Sequence, residues 1–256
     1  ELGINTNLNV PDQLIDTLIN KLKAIADNVK SITVWTSGES YGNKFDYIRS
    51  GGNYQQWRTN IIKILDQVPQ IQVRIMTTYS ALSVYGYLEF LHDMIAIKNQ
   101  YPDRFILDTH TYLQYPKHLT IDILTEDYVK PISEQVEYLK KTLTNSTSDQ
   151  HSLFQAERLL QYFRERINNP LPNLTALRQQ FYNYITEYDR RTGCNFVQEF
   201  PEMQDFFNST VITKPGYDIT GPLGSIAPLK AWESPLTAYD NHVQNIYDEF
   251  IYSPIT

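Results

Sequence analysis

The chain has 256 residues, 41% of them hydrophobic, and a net charge of −7. That is enough apolar material for one large or two small domains, and the acidic balance argues against a general nucleic-acid binder, which shows basic clustering. No apolar run reaches the roughly 18 residues of a membrane span, and the single cysteine, Cys194, excludes an internal disulfide and points to a reducing cytoplasm.

Gly3 to Val10 alternates apolar and polar residues and reads as a short strand entering an Asn-rich loop. Asn9 ahead of Pro11 suits a helix start. Leu14, Ile15, Leu18, Ile19, Leu22 and Ile25 then recur at helical spacing. Ile32–Thr36 is β-branched and aromatic and predicts a strand, followed by the polar loop Ser37-Gly38-Glu39-Ser40. Tyr54–Leu65 is an amphipathic helix. Ile71–Thr77 is a strand with Ile71, Val73 and Ile75 on one face and Arg74 on the other. Val84–Lys98 predicts a helix and Phe105–Leu113 a fourth strand. Strands alternating with helices of this length predict parallel pairing through right-handed crossovers.

From Glu126 the pattern changes. Tyr128–Leu143, Leu153–Ile167 and Leu174–Tyr188 predict three helices without intervening strands, with TNSTSD at 144–149 as a polar loop. Phe200-Pro201-Glu202-Met203 starts a short helix. Residues 209–235 are rich in Pro and Gly and read as an extended tail, with a short helix within 235–252. The expected fold class is α/β. Residues 1–125 form a partial (β/α) barrel, 126–208 a helical extension, and 209–256 an irregular tail.

Loops at the carboxyl ends of parallel strands hold ligands in α/β proteins. Asn7, Ser37, Glu39 and Thr78 all fall at such ends, and Arg49 downstream suits a ligand carboxylate or phosphate. Asp108 and His110, on one face of the fourth strand with Tyr112, are together with His118 of the residue types that bind metals, but no second short ligand pair accompanies them, so no metal site is expected.

Five stretches in order resemble radical S-adenosylmethionine (SAM) proteins of the phage and bacterial type that carry a twitch domain. They are Asn5-Thr6-Asn7; Thr36-Ser37-Gly38-Glu39 with Tyr47-Ile48-Arg49-Ser50-Gly51; Thr77 to Ser83; Leu113 to Leu119; and Asp189 to Phe196 with Phe200-Pro201-Glu202. The resemblance implies a SAM site in which Ser37 and Arg49 take the methionyl carboxylate. Glu39, in place of the family's usual Asp, accepts from the ribose hydroxyls or the amino group, and Asn7 and Thr78 line the same mouth. It also implies a [4Fe–4S] cluster held by a Cys-x-x-x-Cys-x-x-Cys loop. One cysteine cannot supply that loop. The expectation is therefore the C-terminal part of such an enzyme, inactive alone, lacking its natural beginning, with the cluster on a missing N-terminal half or a partner subunit and an unknown substrate. The alternative is a non-catalytic binding or structural protein, possibly of a phage, built on a remnant of that fold.

Overall fold

Strands β1 (Leu2–Asn5), β2 (Ile32–Ser37), β3 (Ile71–Tyr79) and β4 (Phe105–Tyr112) pair in that order in one parallel sheet. The computed structural model describes residues 1–144 and 146–211, with the backbone alone at 109 and 110. The tail expected over 209–256 therefore lies almost wholly outside the described residues. Helices α1 (Asp12–Ala26), α3 (Tyr54–Gln67) and α4 (Tyr87–Gln100) fill the three crossovers.

The period-2 alternation of the strands decides which face is covered. Ile32, Val34 and Thr36 of β2 are buried, as are Ile71, Val73, Ile75, Thr77 and Tyr79 of β3. The register stacks Ile4, Val34, Val73 and Phe105 across the sheet. This face meets the apolar stripes of the helices: Ile15, Ile19 and Leu22 of α1, Trp57, Ile61 and Ile64 of α3, and Phe90, Leu91 and Met94 of α4. On the opposite face Thr33, Trp35, Ser37, Gln72, Arg74 and Met76 are half-buried and Thr78 is exposed.

That second face is polar, and its charges are partnered. Trp35 Nε1 donates to Asp108 Oδ2 at 3.2 Å, and Arg74 Nη1 donates to Asp108 Oδ1 at 3.0 Å. Arg74 Nε in turn donates to Gln72 Oε1 at 3.0 Å. A Cβ on Gly3 would stand 2.7 Å from the Trp35 ring, so glycine lets the indole lie across β1. Among the described residues the sheet is open: β1 pairs with β2 and β4 with β3, and no pairing closes it.

The helical extension packs into the same core. It comprises α5 (Val129–Thr142), α6 (Thr147–Asn168), α7 (Leu174–Thr192), α8 (Phe196–Glu199) and α9 (Gln204–Ser209). Phe163, Phe181, Phe196 and Phe200 are fully buried in it. Helix α6 covers the free edge of β4, where Ser152 Oγ donates to the Leu107 carbonyl, which satisfies an edge group that would otherwise invite pairing.

Helix α2 (Gly42–Ile48) follows the polar loop at 37–40. Two local expectations are corrected. Helix α6 begins at Thr147, inside the stretch read as a polar loop, because Ser146 Oγ caps it by accepting from Asp149 N at 3.2 Å. Helix α1 is preceded by Pro11 with no side-chain cap, so Asn9 does not cap it.

Candidate functional site

The carboxyl end of β2 is shaped by one close approach. A Cβ on Gly38 would lie 2.9 Å from the Phe90 ring and 3.0 Å from Trp57. Glycine lets the chain pass there, and Gly38 is then tied to β3: its N–H donates to Met76 O at 3.1 Å, and its carbonyl accepts from Thr77 Oγ1 at 2.8 Å. This fixes the next residue, Glu39, at the strand end with only 6% of its surface exposed.

Helix α2 carries the chain out and back, and Arg49 returns to Glu39. Arg49 Nη2 donates to Glu39 Oε2 at 2.6 Å, and Nε donates to the same oxygen at 3.2 Å. Burial pushes the Glu39 carboxyl above its usual range, and the Arg49 charge and hydrogen bonds oppose that push. The loop then turns at Gly51, whose φ of +75° favours glycine. A Cβ on Gly52 would stand 2.6 Å from the Arg49 carbonyl oxygen.

The third wall comes from β1. The chain after Asn5 passes through Leu8, fully buried at φ 51°. Asn60 of α3, also fully buried, donates from Nδ2 to the carbonyls of Leu8 and Val10 at 2.8 and 2.9 Å. Asn7 Oδ1 accepts from Asn9 N at 3.1 Å. The result is an open cleft of about 420 Å³ lined by Asn7, Asn9, Glu39, Ile48, Arg49 and the Ser50–Gly52 backbone turn.

Of the five residues expected at the site, Asn7, Glu39 and Arg49 line this cleft. Ser37 and Thr78 are not among its lining residues. Ser37 ends β2 in register with Met76, and Thr78 lies two residues further along β3, so both stand on the polar face of the sheet. Sequence reading missed Asn9, Ser50 and Gly52 as lining and Asn60 as the residue that holds the 8–10 loop. A polar residue within the buried stripe Trp57–Asn60–Ile61–Ile64 was the signal for Asn60.

Asp108 is committed to Arg74 and Trp35. A bulge between Ile75 and Met76 shifts the register, so that Ile75 pairs with Leu107 but Met76 with Thr109. Asp108 and Tyr112, expected to share a face, therefore do not. His118 is half-buried, and its burial lowers its pKa. Cys194 is exposed, just after the left-handed Gly193 that ends α7.

The residues at the cleft suit the polar parts of SAM: a guanidinium about a quarter exposed, held by a buried carboxylate, with amides and backbone around it. They do not suit an iron–sulfur cluster, because Cys194 is the chain's one thiol and, among the described residues, no three His, Cys, Asp or Glu side chains converge. Comparison with protein-family models, curated proteins and solved structures gave no match.

Proposed function

We propose that the chain is the C-terminal part of a radical SAM enzyme and that the Asn7–Glu39–Arg49 cleft binds the polar end of S-adenosylmethionine. The observation that carries this reading is the meeting of Asn7 and Glu39, just past the carboxyl ends of the adjacent parallel strands β1 and β2, with Arg49, which α2 returns to Glu39. In (β/α) barrels, the architecture this reading implies, the carboxyl rim of the strands holds the ligand.

The roles follow from the chemistry of each group. Arg49 offers planar donors to a carboxylate, and its bond to Glu39 holds it in place before the ligand arrives. Glu39 accepts from an ammonium or from ribose hydroxyls. Asn7 and Asn9 offer amides to the remaining polar atoms, and Gly51 and Gly52 let backbone approach the ligand closely. Bound SAM supplies the hydrogen-abstracting chemistry, while the protein supplies binding and orientation. The cluster belongs to a polypeptide segment other than residues 1–256, and the substrate is positioned against the polar sheet face that carries Ser37 and Thr78.

The single cysteine favours a second reading, a non-catalytic binding or structural protein that uses the same cleft. Both readings meet the same test. Saturation-transfer NMR of the chain with S-adenosylhomocysteine should show binding, and Arg49→Ala should weaken it at least about tenfold, or about 1.4 kcal/mol. Reduced iron and sulfide added with SAM should give no SAM cleavage by this chain alone. Absence of binding, or binding indifferent to Arg49→Ala, would overturn the assignment of the cleft. Binding with cleavage would overturn the placing of the cluster elsewhere.

A further inference from the structure

Helix α3 carries a polar stripe that reaches both walls of the cleft. At its start Asn53 Oδ1 accepts from Gln56 N at 2.9 Å, which caps the helix directly after the Gly51–Gly52 turn. Gln56 Nε2 donates to Asn60 Oδ1 at 3.1 Å and to Asp12 Oδ1 of α1 at 3.3 Å. Asn60 Nδ2 donates in turn to Leu8 O and Val10 O at 2.8 and 2.9 Å. An amide side chain has two N–H donors and one accepting oxygen, so both kinds of group on this fully buried residue are engaged. The Asp12 carboxylate accepts only, which fixes the orientation of Gln56 and, through it, of Asn60.

The loop that Asn60 holds has a costly backbone. Leu8 has φ 51°, a left-handed conformation that a leucine keeps only where its surroundings over-determine it, and such residues cluster at ligand clamps. Thr6 Oγ1 accepts from Leu8 N at 3.2 Å and Asn7 Oδ1 from Asn9 N at 3.1 Å. Those two bonds are local to the loop, whereas the Asn60 bonds tie it to α3. On either side of Leu8 stand the cleft-lining residues Asn7 and Asn9. A Cβ on Gly52 would lie 3.5 Å from Asn9 Nδ2, so the Asn9 amide rests against the opposite wall.

We propose that Asn60 is a positioning residue of the cleft. By holding Leu8 in its left-handed turn it presents Asn7 and Asn9 to the ligand and keeps Asn9 against Gly52, so that one helix sets both walls. Asn60 touches no ligand itself and acts through Asn9. The inference rests on the preceding reading that the cleft binds a ligand. Its first readout needs no ligand, so the two fail separately.

The test compares Asn60→Asp with the wild-type chain. In the free protein, hydrogen exchange at the Leu8 and Asn9 amides should be at least about tenfold faster in the variant at neutral pH, with the Ile61 and Ile64 amides of α3 unchanged. The new carboxyl faces two carbonyl oxygens, and burial raises its pKa. Once protonated it donates again, so the contrast with the wild type at the same pH should shrink below neutrality. S-adenosylhomocysteine should bind the variant about fivefold more weakly, the order of one net hydrogen bond. Asn9→Ala should weaken binding by about the same factor, and the double variant should lose no more than about twofold beyond either single one. Gln56→Ala, at a half-buried position, removes the group that orients Asn60 and should show the same pattern at about threefold, which decides the matter where Asn60→Asp does not fold. Exchange at Leu8 and Asn9 no faster than in the wild type would overturn the proposal, with Thr6 and Asn7 alone holding the loop. Faster exchange throughout α3 would overturn it in favour of a general role in the core. Binding losses that add in the double variant would overturn the action through Asn9. A wild-type chain that fails to bind S-adenosylhomocysteine while the exchange contrast persists would overturn the preceding reading and uphold the grip of Asn60 on the loop.

Discussion

Glu39 is held in two opposing ways, and its pH dependence separates them. Burial raises its pKa and Arg49 counteracts this, with burial prevailing. A carboxylate whose folded pKa lies above its unfolded value contributes stability that is fully present below the unfolded pKa and is lost as pH rises through the folded one. The wild-type chain should therefore lose stability relative to Glu39→Gln as pH rises from about 4, the unfolded carboxylate range, towards neutrality. Thermal melts of both proteins across that range check the sign. A gap that moves the other way would mean that the Arg49 pair outweighs desolvation. The glutamine variant keeps the size of the side chain, so the comparison isolates the charge.

At the scale of elements, a buried ion pair joins α4 to α6. Lys98 Nζ lies 2.8 Å from Asp149 Oδ1, with the aspartate side chain 1% exposed. Thr144 adds a hydroxyl donor at 2.6 Å and a backbone N–H at 3.0 Å to Oδ2. Burial pushes the Asp149 pKa up, but Lys98 and Thr144 together outweigh it and hold it below its usual range. Lys98→Met strands a buried carboxylate and should cost about 3–5 kcal/mol in urea unfolding. The part of the stability due to Asp149 should be present above the unfolded carboxylate pKa and disappear as pH falls through its lowered folded value. Asp149→Asn should remove that acid limb. This tie was hidden in the sequence because 144–149 is all short polar residues, and short polar residues serve turns and helix caps alike. The strands were legible for the opposite reason: Ile71, Val73 and Ile75 against Gln72 and Arg74 leave one reading. Periodicity gives no sign of helix α2, which is short and starts on a glycine and whose inward residues Phe45 and Tyr47 are too few to set a period.

At the scale of the molecule, Asn7 and Glu39 meet because strand ends in a parallel sheet share one rim, and α2 returns Arg49 to it. The sequence could not show what holds that rim, since the holders come from far along the chain. Tyr47, two residues before Arg49, donates its hydroxyl to Asp189 Oδ1 at 2.8 Å, while Asp189 Oδ2 accepts from Phe196 N at 2.8 Å. Tyr188 returns the contact by donating to Tyr47 O at 2.7 Å. One aspartate thus joins the end of α2, just before Arg49, to the end of α7 and the start of α8. Asp189→Ala leaves a buried hydroxyl and a helix-start N–H without acceptors. With about 1–2 kcal/mol for each, the loss should be about 2–4 kcal/mol. Tyr47→Phe should cost about 1–2 kcal/mol, and the double variant should cost less than the sum, with a coupling of about 1 kcal/mol. Urea unfolding followed by far-UV circular dichroism and tryptophan fluorescence measures all three. Additive losses would mean that the contact carries no energy, and two separate transitions would mean that the strand–helix units and the helical extension fold apart. A single transition with coupling would mean that the C-terminal helices stabilise the loop bearing Arg49, so that Asp189→Ala weakens ligand binding at the cleft without touching it.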